Sequence, residues 1–189
     1  SPQVLVAVVD LAFNVEHPDL KGKLWSNPRE VPGNGRDDDG NGCVDDLHGW
    51  DFLDNDATLD GPQAEHGNHV AGILAAQTDN GTGIAGMAPN CPLMLVKVGL
   101  AGCLRDGAIM ARAVRYCVDN GARLICMNHG LSEHFPGWHV PVGGELKAAC
   151  DDAYRRGSLV VSCTTSNDGR YYPMCFQCGY DSVMGTGAS

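Results

Sequence analysis

No apolar run in the chain approaches the roughly 18 residues that a helix needs to cross a bilayer, so no membrane span is expected. Positive charge is scarce too, with 13 Lys and Arg against 23 Asp and Glu and a net charge of −10. That balance argues against a nucleic acid or an anionic membrane as partner, because both are held by basic surfaces. No second Cys-x-x-Cys accompanies Cys175-Phe-Gln-Cys178, so the doubled spacing of a zinc ribbon is absent and a disulfide-closed loop is the expected use of that pair. No signal peptide precedes Ser1, and apolar runs lie close to both termini. Both ends are therefore expected to have been cut from something longer.

What the chain does contain suits one turn-rich globular domain: 189 residues, 43% of them apolar, with 25 glycines. Nine cysteines, Cys43, Cys91, Cys103, Cys117, Cys126, Cys150, Cys163, Cys175 and Cys178, are many for a cytosolic enzyme of this size. They point to disulfides and a secretory compartment, with an odd one left over.

The acidity is local, since nine of the 23 acidic residues fall between Asp37 and Asp60. Within the polar loop at 33–48, Asp37, Asp39 and Asn41 alternate as oxygen donors, Gly42 allows a sharp turn, and Val44, Asp45 and Asp46 follow. This is the opening pattern of an EF-hand-type calcium loop. His48 stands where the bidentate glutamate would close such a loop, so Asp45 or Asp46 is expected to complete the shell. Crowded aspartates repel one another without a cation, and Ca2+ is the expected structural ion.

Val4 to Val9 is a continuous apolar run ending in Asp10, the pattern of a strand buried on both faces with a carboxylate at its carboxyl end. Leu93 to Val98, Arg123 to Met127, Leu159 to Cys163 and Ser182 to Gly185 are further candidate strands. Helical patterns at His66 to Gln77, Asp106 to Asn120 and Gly144 to Arg156 lie between them. Such alternation predicts an α/β fold with a doubly wound, mainly parallel sheet and helices on both faces.

Glu65-His66-Gly67-Asn68-His69-Val70-Ala71-Gly72 puts a histidine at the mouth of an apolar helix, with Val70, Ile73 and Leu74 expected to face the core and His69 to point inward with them. His66 and His69 with Asp10 could make a zinc site only if His69 shared the side of His66. Gly81-Thr-Gly83-Ile-Ala-Gly86 fits a dinucleotide fingerprint, but a helix precedes it and Pro89 and Pro92 follow. The fingerprint needs a strand before and a helix after, so this is a connection. Asn80-Gly81-Thr82 is a formal glycosylation sequon.

Four motifs in order carry a resemblance. Val8-Val9-Asp10 with His17-Pro18-Asp19-Leu20, then His66-Gly67-Asn68-His69-Val70-Ala71-Gly72, then Gly83-Ile84-Ala85-Gly86-Met87-Ala88-Pro89, then Ser166-Asn167-Asp168-Gly169 resemble the subtilisin-like serine proteases over essentially the whole chain. The resemblance implies the first two-thirds of a serine endopeptidase domain, incomplete at its C-terminus. It implies Asp10 orienting His66, His66 as general base toward a serine, and Asn167 as oxyanion donor. It also implies a first calcium site from the side chains of Asp19 and Asn80 and the carbonyls of Gln77, Thr82 and Ile84, with the acidic loop an additional site inserted between the aspartate and histidine motifs. A peptide or protein substrate would lie extended along Val98, Gly99 and Leu100 and along Asn128, His129 and Gly130. A propeptide or inhibitor is a further implied partner.

The chain departs from the family where the chemistry lies. The Gly-Thr-Ser-Met-Ala stretch that holds the serine is not in this sequence, and none of its eight serines substitutes. The 189 residues alone are therefore expected not to hydrolyse peptides. Leu11-Ala12 follow Asp10 where the family has a hydroxyl residue and glycine, Asn68 replaces a threonine, Asn128-His129-Gly130-Leu131 replace Ser-Leu-Gly-Gly, and Thr165-Ser166 precede Asn167 in place of Ala-Gly. These departures keep open a second reading, a degenerate relative that binds peptides or proteins without cutting them.

Overall fold

The computed structural model describes residues 3–99, 107–128, 144–163 and 180–186. Its strands are β1 (Val6–Asp10), β2 (Gly49–Asp51), β3 (Leu93–Lys97), β4 (Leu124–Met127), β5 (Leu159–Cys163) and β6 (Val183–Thr186). Helices α1 (Ala64–Ala75), α2 (Gly107–Asp119) and α3 (Gly144–Arg155) lie between β2 and β3, β3 and β4, and β4 and β5 in turn. The strands form one sheet in the order β2-β3-β1-β4-β5-β6, and every neighbouring pair is parallel. The expected doubly wound architecture is therefore present.

β1 is buried along its whole length because it pairs on both edges and is covered on both faces. Val6 and Val8, with Leu93 and Leu95 of β3, pack under Ala71 and Ala75 of α1 and against Phe13 and Leu20. Ala7 and Val9, with Met94 and Val96, face Met110, Val114 and Cys117 of α2 and Leu146 and Cys150 of α3. The period-two alternation of a strand thus sends successive apolar residues into two separate cores.

Several local expectations change. β2 was not anticipated, since Gly49-Trp50-Asp51 is too short to show a period. Helix α1 starts at Ala64, preceded by Gln63 at φ 69°. Its buried face is Gly67, Ala71, Gly72 and Ala75, whereas Ile73 is 47% exposed and Val70 and Leu74 only border the core. The helix lies so near the chain leaving β1 that only small residues fit: a Cβ on Gly67 would fall 2.2 Å from the Ala12 carbonyl oxygen. His69, expected to point inward, is exposed.

No disulfide joins any of the six described cysteines to another. Cys43, Cys117 and Cys150 act as small apolar groups in the larger core, and burial pushes the thiols of Cys43 and Cys150 up to about 12. Cys103, Cys175 and Cys178 lie outside the described residues. Among the described residues no helix is long and apolar enough to cross a membrane.

Candidate active site

The chain leaves β1 toward β2 and β3 on one side and later returns to lay β4 on the other. Such a reversal opens a crevice at the carboxyl ends of the strands. Asp10, the last residue of β1, sits at that crevice with no solvent exposure.

One oxygen of Asp10 accepts both the backbone N–H of Leu11, at 2.7 Å, and the ring of His66, whose Nδ1 lies 2.7 Å away. A carboxylate can only accept, so Nδ1 carries the hydrogen and Nε2 is left as the basic nitrogen. The His66 side chain is 45% exposed, which leaves the ring accessible from the crevice. Asn68, two residues on, ties α1 to the same segment by accepting the Asn14 N–H at 2.9 Å. A buried acid, an oriented imidazole and an open approach are the parts that a general base requires.

The flanking strands end at the same edge. Val98 donates its N–H to the Asp10 carbonyl at 3.0 Å, and Val98 and Gly99 are buried where the chain leaves β3. Asn128, half-buried, follows β4, with its amide 4.0 Å from the Cys126 sulfur. Leu100, His129, Gly130 and Asn167 lie outside the described residues.

Two oxygen-rich loops border this framework. In the first, the buried Asp19 carboxylate accepts the Asn80 amide at 2.7 Å and the Ile84 N–H at 3.0 Å. Those bonds, Asn80 first, then Ile84, aided by the charge of His17, outweigh burial and hold Asp19 below the usual range. The loop from Gln77 to Ala85 curls around a hollow of about 430 Å³. Gly83, at φ 59°, comes so close to Asp19 that a Cβ would fall 1.8 Å from its oxygen. Carboxylate, amide and carbonyl oxygens in one tight loop suit a hard cation.

In the acidic loop the structure brings together Asp37, Asp39 and Glu30, whose oxygens lie within 4.8 Å of one another. Glu30 escaped the sequence reading because it lies upstream of the loop, with no spacing that marks it. One of its oxygens accepts the Asp38 and Asp39 N–H groups, while the other is buried with no hydrogen-bond partner. Burial, reinforced by the charges of Asp46 and Asp38, raises Glu30 above the usual range despite those bonds. Asp37 is lowered, chiefly by the Gly42 N–H and then by those of Gly40 and Asn41.

The other residues expected here are engaged elsewhere. Asp45 accepts the N–H groups of Asn34 and Gly35 at 3.1 and 2.9 Å. Asp46 is fully buried and accepts from the Tyr116 hydroxyl at 2.6 Å, Asn27 at 2.9 Å and Asn41 at 3.1 Å. His69 lies among residues lining a separate hollow with His17. Among the His, Cys, Asp and Glu side chains of the described residues, Glu30, Asp37 and Asp39 form the group of three whose donor atoms approach closely enough for a metal.

The family profile described as the subtilase family matches residues 1–189. The chain belongs to the subtilase family. It is 33% identical over 189 residues to the thermophilic serine proteinase of Bacillus sp. (strain AK1), an alignment covering 97% of this chain and 37% of that protein. It is 32% identical over 168 residues to thermitase of Thermoactinomyces vulgaris, covering 89% of this chain and 49% of that one. The fold matches the nisin leader peptidase of Lactococcus lactis with a TM-score of 0.63 at 20% identity, over 98% of this chain and 55% of that one. This subtilase chain thus spans about half or less of the length of these relatives.

Proposed function

We propose that this chain is the aspartate–histidine part of a serine endopeptidase domain whose nucleophile lies on a further segment. The observation that carries the reading is the 2.7 Å contact between His66 Nδ1 and the buried Asp10 carboxylate at the crevice of a subtilase sheet. In the reaction, His66 Nε2 takes the proton of the serine hydroxyl as that oxygen attacks the peptide carbonyl. Asp10 keeps Nδ1 protonated and stabilises the imidazolium, which then gives its proton to the leaving amine. Asn167, four residues after β5 ends at Cys163, supplies an amide N–H to the oxyanion. An extended peptide pairs along Val98, Gly99 and Leu100 on one side and Asn128, His129 and Gly130 on the other.

Ca2+ suits both loops: Asp19, Asn80 and the carbonyls of Gln77, Thr82 and Ile84 in one, Asp37, Asp39 and Asn41 with Glu30 in the other. The unpartnered, buried oxygen of Glu30 supports the second. Calcium would tie these loops to the sheet and take no part in the proton transfers. We assign the parent protein to the secretory route with a propeptide or inhibitor as partner, on the strength of the family resemblance.

The test is to extend the reading frame beyond Ser189 and assay the longer protein on peptide substrates. A Gly-Thr-Ser stretch opening a helix, with hydrolysis that His66→Ala abolishes, is the expected result. A stop codon, another residue in place of the serine, or absence of turnover would leave the non-cutting peptide binder, which the substitutions around Asp10 already favour.

A further inference from the structure

The row of residues at the carboxyl edge holds more charge than the proposed chemistry uses. Asp10 of β1 is in register with Lys97 of β3, and Lys97 with Asp51 of β2. Register partners in parallel strands share a face, so a carboxylate, an ammonium and a second carboxylate line up on the side that carries α1. Lys97 is 7% exposed and Asp51 is not exposed at all, and their charged atoms are 2.6 Å apart.

The ammonium reaches along the loop that joins β2 to α1. It lies 3.6 Å from a carboxylate oxygen of Asp54 and donates to the Asp60 carbonyl at 3.4 Å. Gly61 is packed against it, since a Cβ there would sit 3.5 Å from Nζ. The loop folds around this cation: Asp51 accepts the N–H groups of Leu53 and Asp54 and donates its own N–H to Asp56. Burial opposes the Lys97 charge, but the hydrogen bond and charge of Asp51, with Asp54 and Asp56, overcome it and raise its pKa.

The held loop leads straight to the histidine. The Gly61 carbonyl accepts the Ala64 N–H at 3.3 Å, and the Gln63 carbonyl accepts the His66 N–H at 3.1 Å. Gln63 sits in the left-handed region with no side-chain cap on the helix. The start of α1 is therefore set by what anchors the loop before it.

We propose that Lys97 is a positioning residue for the Asp10–His66 pair, its ammonium clamping the loop from Asp51 to Gly61 onto the sheet edge and so fixing where helix α1 presents His66. This rests on the reading of Asp10 and His66 as the catalytic pair. Neither Lys97 nor Asp51 touches substrate in this assignment. The charge is needed because one apolar side chain could fill the space but could not hold Asp51, Asp54 and the Asp60 carbonyl at once.

The experiment follows the His66 Nδ1 proton by NMR in chain labelled with ¹⁵N-histidine, reading its exchange with water. Asp10→Ala is the control and removes the protected signal, since it leaves Nδ1 no acceptor at that position. If protection survives that change, the Asp10–His66 reading fails, whatever Lys97 does. Lys97→Met is expected to speed exchange about tenfold, the factor that goes with losing one well-placed hydrogen bond. Asp51→Asn, a milder change of the same shape, does likewise with the circular dichroism unchanged. Unaltered exchange in folded Asp51→Asn overturns the proposal. A Lys97→Met, Asp51→Leu double variant restores apolar packing and separates clamping from bulk. A recovered melting temperature with exchange still fast supports positioning, and recovery of both would reduce Lys97 to a packing role.

Discussion

Gly67 decides how near helix α1 comes to the strand carrying Asp10, since its missing side chain leaves room for the Ala12 carbonyl and the Phe13 ring. A helical glycine is ordinarily worse than alanine by about 1 kcal/mol. At this position we expect the reverse, with Gly67→Ala destabilising the chain by about 1–3 kcal/mol through overpacking. Urea midpoints would show it, and a more stable variant would mean that the helix can move away freely. In the extended protein, Asp10→Asn should lower kcat by about 10⁴ with little change in KM, because the orienting acceptor for the imidazole is lost. A loss under tenfold would remove Asp10 from its assigned role. Asp10 and His66 were legible in the sequence because each sits in a continuous motif, at a strand end or a helix start. Glu30 was not, because its meeting with Asp37 and Asp39 depends on the path of an irregular loop.

The acidic loop behaves as a unit whose charges oppose one another, and its pH response follows from the direction of each shift. Glu30 and Asp46 are raised, both chiefly by burial, which for Asp46 outweighs the bonds from Tyr116, Asn27 and Asn41. The folded chain then holds protons that the unfolded chain has released, so these two groups make stability fall as pH rises through and above the ordinary carboxylate range. Asp37 and Asp19 are lowered, so their contribution is present above that range and lost as pH falls through their folded values. In chelator, the contribution of these four groups should therefore rise out of strong acid, pass a maximum and decline above the ordinary carboxylate range. Millimolar Ca2+ should lessen the decline, since a cation replaces the protons on Glu30 but leaves those on Asp46. Urea midpoints in chelator that do not fall as pH rises above the ordinary carboxylate range would count against the raised carboxyls, and midpoints that ignore calcium would count against the cation reading. At this scale the order of the helices and of every strand except β2 was readable from periodicity, but the buried face of α1 was not. A pattern of large apolar residues at Val70, Ile73 and Leu74 points one way, while close approach to the sheet selects Gly67, Ala71 and Ala75.

Across the whole molecule the two faces of the sheet are treated differently. The face under α2 and α3 is closed, with Ile125, Met127, Val160 and Val183 buried. On the other face α1 covers β1 and β3, but farther along the same side Leu124, Cys126, Leu159 and Val161 are only half-buried and Met184 is 51% exposed. Register puts these side chains in adjoining rows, and no described helix lies over them. A contiguous apolar surface of this kind is normally covered. A segment that opens a helix beside α1 would cover it and would bring a nucleophile to the edge where His66 waits. Thiol labelling checks this without any assay of activity. In the isolated chain Cys126 should react under conditions where Cys117, fully buried with its thiol pushed well above the usual range, does not. In the extended protein, Cys126 should become as protected as Cys117. Equal protection of Cys126 already in the isolated chain would mean that the face is closed by residues of this chain itself, and the nucleophile would then have to approach the crevice from another side.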